Sequence, residues 1–233
     1  MVIFFVVLIF SVVQSIFGVG LLLFGTPTLL LLGVSFDETL WTLLPSSVFI
    51  SICQIANKYF LINSKKEMYF FILPPIAIGL ILVLSYSELV DIKKVVGLFL
   101  LIVSGIRLSK WTQKVLRNFI VKHINVYCIL MGLVHGISNM GGGALTVLMA
   151  SLHNKKEVIR VNIAFIYLLF ASIQIITLFF VSPHIFSVQD LFLIIISGTT
   201  YFLVNRYIIF LINDNKFQDI DFQTQPQLFW KTL

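Results

Sequence analysis

Apolar residues run along this chain in long blocks, separated by short clusters of charge. The blocks fall at about 2–33, 41–62, 68–87, 92–108, 124–150, 158–182 and 188–212. A helix needs about 20 apolar residues to cross a bilayer, and stretches of that length fill most of the sequence. The pattern predicts an all-α polytopic membrane protein. Its first block would be about 50 Å long as a single helix at 1.5 Å per residue, against a hydrocarbon core of about 30 Å. It is therefore expected to be a broken helical hairpin. From Asn213 the chain turns polar, NDNKFQDIDFQTQPQLFWKTL, and reads as a tail without a domain of its own.

Composition agrees with the pattern. The chain is 59% hydrophobic and 11% charged, where soluble domains carry about 25% charged residues. Met1-Val2-Ile3-Phe4 lacks a basic leader and the apolar run outlasts a signal sequence, so no cleavable signal is expected. Cys53 and Cys128 both lie in apolar runs and predict small buried hydrophobes, not a disulfide framework.

The net charge of +6 does not mark a nucleic-acid binder, because the basic residues sit in short joints between spans. Lys58, Lys65 and Lys66 occupy one joint. Arg107, Lys110, Lys114, Arg117 and Lys122 occupy a second that holds no acid, and Lys155, Lys156 and Arg160 a third. With Arg206, Lys216 and Lys231 near the C-terminus, these make 14 of the 16 basic residues. Positive charge collects on the cytoplasmic side, which predicts an inner-membrane, multi-pass protein with a cytoplasmic C-terminus. The joints flanking 124–150 are both basic, so that block too should enter and return on one side. The acidic Asp37 and Glu38 place 34–40 outside.

Two glycine-bearing hairpins, each followed by a charged joint and further spans, suggest an inverted repeat, a common transporter plan. The expected divisions are a first repeat at 1–108, a basic cytoplasmic joint at 109–123, a second repeat at 124–212 lacking its last span, and the tail at 213–233. Weak echoes pair Gly20 with Gly141, Glu38 with Glu157 and Gln54 with Gln174.

The breaks carry the candidate chemistry. The first hairpin holds Gly18-Val19-Gly20 and then Gly25-Thr26-Pro27; the second holds Gly136-Ile137-Ser138-Asn139-Met140-Gly141-Gly142-Gly143. Backbone groups freed at such breaks cannot face lipid and must meet protein or a wet cavity. Glycine allows close backbone approach and positive φ, and helix N-termini aimed at a shared cavity bind anions through N–H groups and the dipole. The candidate substrate contacts are Gly18, Gly20, Ser138, Asn139, Gly141, Gly142, Gly143, Arg160 and Asn162. Competing with this is plain helix packing: Gly132 and Gly136 form a GxxxG pair of the kind that lets membrane helices touch. Arg160 could equally be a topogenic charge, and Gln54 and Gln174 polar glue between helices. His135, inside the second hairpin, is either a neutral hydrogen-bonded side chain or a proton-coupling one. No metal-ligand or hydrolase signature occurs and no cofactor is implied.

With its two glycine-rich turns running into apolar segments, GVGLLLFGTPTLLLLG at Gly18–Gly33 and GISNMGGGALTVLMASL at Gly136–Leu152, the chain resembles the TauE/SafE family of membrane transporters. Arg160-Val161-Asn162 and Pro45-Ser46-Ser47 look like further elements of that family, and the resemblance covers about residues 1–212. It implies alternating-access transport of small anions, such as sulfite, organosulfonates or carboxylates, through a lipid bilayer. A non-transporting membrane scaffold or assembly subunit is the alternative; an intramembrane enzyme is disfavoured by the missing signatures.

Overall fold

The structure, a computed structural model, describes residues 1–56, 58–63, 66–86, 91–108 and 110–213. The described residues form helices and no strands. In order these are α1 (Val2–Phe17), α2 (Leu21–Leu31), α3 (Phe36–Ala56), α4 (Lys66–Ser85), α5 (Ile92–Leu108), α6 (Lys110–Lys122), α7 (Ile124–Ser138), α8 (Gly142–Leu152), α9 (Lys156–Val181) and α10 (Val188–Asn213), with a single 3₁₀ turn at Tyr59–Leu61. The polar tail lies outside the described residues.

Among the described residues, four helices are long and apolar enough to cross a membrane: Phe36–Ala56, Met68–Ser85, Lys156–Val181 and Val188–Tyr207. The two blocks expected to break do break. Residues 2–33 divide into α1 and α2 around Gly18-Val19-Gly20, and residues 124–150 into α7 and α8 around Asn139-Met140-Gly141. The 109–123 joint contains α6, whose C-terminal part meets α7 at a bend of 110°. α6 carries four bases and no acid, and its apolar Leu116 and buried Ile120 pack on the core.

Helix ends gather at two faces. At one, Asp37 accepts a hydrogen bond from the Ser182 hydroxyl at 3.0 Å and the Trp41 indole donates to the Ser182 carbonyl at 2.8 Å. Leu84 and Ile92 join Asp37 and Ser182 around a cavity of about 410 Å³ there. At the other face Lys58 pairs with Glu157 at 2.6 Å. The Asn162 amide donates to the carbonyls of Leu61 and Val158, and its oxygen accepts the Asn63 N–H.

α3 and α9 pack together at the centre, α4 lies along α7, and α10 lies along α1. The α4–α7 contact is a backbone contact. A Cβ on Gly132 would sit 2.5 Å from the Ile72 carbonyl oxygen, and one on Gly136 would sit 2.3 Å from that of Ile76. The GxxxG pair is thus a packing device, and it works because lipid offers no hydrophobic drive to hold helices together.

Gly136→Ala is expected to force α4 from α7 and to cost about 1–3 kcal/mol, the usual range for overpacking. Gly97→Ala, where a Cβ meets nothing within 4 Å, should be neutral or stabilising by up to about 1 kcal/mol. Thermal unfolding of the two variants in detergent checks the contrast.

Candidate functional site

Each broken hairpin must dispose of the carbonyls at the end of its first helix and the N–H groups at the start of its second. At the first break Gly18 takes φ 83° and its N–H returns to the Gln14 carbonyl at 2.8 Å. A side chain at Gly20 would strike Val13 and the Gln14 nitrogen, both under 3.0 Å away. The carbonyls at the end of α1 are then taken by side chains from elsewhere. The Gln54 amide donates to the Gln14 carbonyl at 2.8 Å and Arg160 donates to that of Ser15 at 2.5 Å. The Gln14 side chain itself bonds to Ser47 and Ser51.

The second break closes differently. Asn139, not a glycine, is the residue with positive φ (59°), and its N–H bonds to the His135 carbonyl at 2.7 Å. Gly141 and Gly142 thus serve close approach and not a left-handed turn. Gly141 lies against His135, with an added Cβ 2.5 Å from the His135 Cβ, and its N–H donates to Nδ1 of that ring at 3.1 Å. A Cβ on Gly142 would lie 3.1 Å from Tyr167 Cε2 and 3.4 Å from the Tyr167 hydroxyl. Gly143 offers its carbonyl to Thr146.

Tyr167, on α9, is the side chain on which the two breaks converge. It is fully buried. Its hydroxyl faces the backbone N–H groups of Gly20, Leu22 and Leu23 but closes a hydrogen bond of ordinary geometry with none of them. The N-terminus of α2 is thus on one side of the phenol and Gly142, the first residue of α8, on another. Asn139 ties the hairpins together, donating to the Thr26 hydroxyl at 2.8 Å, while its side-chain oxygen stays buried and unpartnered. His135 Nε2 and both polar atoms of Gln174 are likewise buried without partners. Polar atoms of Asn139, His135, Tyr167 and Gln174 without partners of ordinary geometry thus gather in one neighbourhood, with Gln174 beside the His135 ring.

The candidate residues separate into two groups. Gly18, Gly20, Asn139, Gly141, Gly142 and Gly143 frame the breaks. Ser138 sits beside them, but its hydroxyl is committed to the Val134 carbonyl at 2.6 Å and receives the Met140 N–H. Arg160 sits at the first break, donating to the Ser15 carbonyl with its own backbone carbonyl against Gly18, while Asn162 stands apart, fastening the 61–63 turn with all its polar atoms engaged. Tyr167 and Thr26 were not legible as site residues one at a time. The available signal was spacing, since Arg160, Tyr167 and Gln174 recur every seven positions and therefore share one stripe of α9.

Arg160→Gln is expected to lower thermal stability by about 1.5–3 kcal/mol, the worth of a hydrogen bond to a charged group. Tyr167→Phe should leave stability unchanged or slightly raised, because no ordinary hydrogen bond is lost. Unfolding curves of the two purified variants decide both.

A family model described as sulfite exporter TauE/SafE matches residues 3–206. No curated protein and no solved structure matches the chain.

Proposed function

The chain belongs to the sulfite exporter TauE/SafE family, a family of membrane transporters and not of enzymes, and from that premise we propose that it carries a small anion by alternating access. The substrate class is sulfite, an organosulfonate or a related small carboxylate. The observation that carries the reading is the buried, unpartnered Tyr167 hydroxyl lying between the N-termini of α2 and α8. An anion there would accept from first-turn N–H groups of both helices and from the phenol. Gly18, Gly20 and Gly141–Gly143 keep the backbone bare enough for that approach, and Asn139 and Ser138 hold the second break. Arg160 and Asn162 serve the scaffold.

Two halves related by an inverted repeat, about 1–108 and 124–212 across the 109–123 joint, give the machine its symmetry. In support, α4 lies on α7 as α10 lies on α1, and α3 meets α9 between them. Gln14, Ser47 and Gln54 in the first half correspond to His135, Tyr167 and Gln174 in the second, offset by 120–121 positions. Each trio joins the end of a hairpin's first helix to the central helix of its own half. The face bearing Lys58 and Glu157 is the cytoplasmic one, as its surplus of basic joints requires, and the cell membrane is the setting.

Reconstituted vesicles test the reading. Gly142→Leu fills the gap between α8 and Tyr167, so uptake of labelled sulfite per folded molecule should fall at least tenfold. Gly142→Ala should retain most of it, since one methyl at 3.1 Å from the ring edge asks only for a small shift. Near-native flux in Gly142→Leu would show that the substrate passes elsewhere.

A further inference from the structure

An anion buried between two helix ends meets only partial positive charge, about half a unit at each N-terminus. A buried ion without full compensation is costly. The Arg160 guanidinium donates to the Ser15 carbonyl at the end of α1. The missing charge has one candidate source beside the triple glycine: His135.

The His135 ring is fully buried and held at the mouth of α8. Its Nδ1 accepts the Gly141 N–H, which places the proton of the neutral ring on Nε2. The neutral ring therefore occupies a first-turn donor of α8 and presents a lone pair where an anion would be received. Nε2 has no partner of ordinary geometry, although Gln174 stands beside the ring. Phe170 packs on the ring with centroids 4.5 Å apart, and Tyr167 lies 6.2 Å away, both from α9. Among the described residues, Tyr167 is the titratable side chain whose ring packs against that of His135, and α6, which packs on α7 and α8, carries Lys110, Lys114, Arg117 and Lys122. α2 and α8 contain no Asp, Glu, Lys, Arg or His, and α4 contains none from Met68 to Ser85.

We propose that His135 is the coupling residue of the site, binding one proton together with each anion. The inference rests on the anion-transport reading above. A proton from water on the open side adds to Nδ1, forming an N–H bond and breaking the Gly141 N–H···Nδ1 hydrogen bond. The ring then donates from both nitrogens and carries the full positive charge, while the Gly141 N–H is released to the ligand. One acceptor is exchanged for two donors where the anion arrives. Proton and anion consequently strengthen each other's binding by the same factor. The proton leaves with the anion when the opposite side opens, and the Gly141 contact re-forms. Gln14, which corresponds to His135 in the first half, cannot titrate, so a single proton is carried per cycle.

Methanesulfonate is the probe, because it stays ionised while histidine titrates. Calorimetry of the full chain in buffers of different ionisation enthalpy should show about one proton taken up per anion bound above the ring's own titration, with affinity falling about tenfold per pH unit there. His135→Gln can still accept the Gly141 N–H and should bind more weakly, with no proton uptake and no pH dependence. Tyr167→Phe should weaken binding yet keep the proton. Ring-¹⁵N spectra of the native protein give the same answer without a variant, through conversion of His135 from neutral ring to imidazolium when the anion is added. Binding without proton uptake, or an unchanged ring spectrum, overturns the coupling and leaves the anion site standing. Absence of methanesulfonate binding to the native chain at every pH overturns both.

Discussion

A helix that stops inside a membrane leaves up to four carbonyls or four N–H groups without partners, and lipid supplies none. This chain breaks two apolar helical stretches, at Gly18–Gly20 and at Asn139–Gly141, and much of the architecture answers the need for partners there. Gln54 and Arg160 reach across from α3 and α9 to the carbonyls of α1. His135 bends back to take one N–H of α8. α4 comes into backbone contact with α7 just ahead of its break, at a distance that Gly132, Gly136 and, from α4, Gly79 permit. The N–H groups of the two second helices are less completely served, and the unpartnered Tyr167 hydroxyl stands among them. In the transport reading that deficit is the binding site: what the scaffold leaves unsatisfied, a ligand completes.

The long apolar blocks and the two breaks were legible in the sequence because each rests on a strong local rule. Length against bilayer thickness divides 2–33, and a run of glycines beside Ser138 and Asn139 divides 124–150. What lay beyond reach depended on long-range partners. Arg160 looks like the obvious ligand for an anion in any list of charges, yet its guanidinium meets a carbonyl 145 positions away. Asn162, equally suggestive, is spent on a turn 99 to 101 positions away. Tyr167 was hidden for the opposite reason. A tyrosine in an apolar helix is ordinary, and only the arrival of both glycine breaks makes its hydroxyl notable. The positive φ at Asn139 was obscured by three better candidates for it immediately downstream.

The two breaks close with different chemistry. In the first, Gln14 and Ser47 satisfy one another, with the Gln14 amide donating to the Ser47 hydroxyl at 3.0 Å. At the second, His135, Tyr167 and Gln174 carry polar atoms without partners of ordinary geometry, as Gln54 does in its side-chain oxygen at the first. A closed polar network rigidifies what it touches, whereas an open one is costly until filled.

Locating a bound oxyanion tests this account most directly. Crystals of the protein grown with selenate would show the selenium by its anomalous scattering. The account predicts a single ion within hydrogen-bonding reach of the Tyr167 hydroxyl and of first-turn N–H groups of α2 and α8. An ion found only in the outer cavity beside Asp37 and Ser182, or on the guanidinium of Arg160, would contradict it.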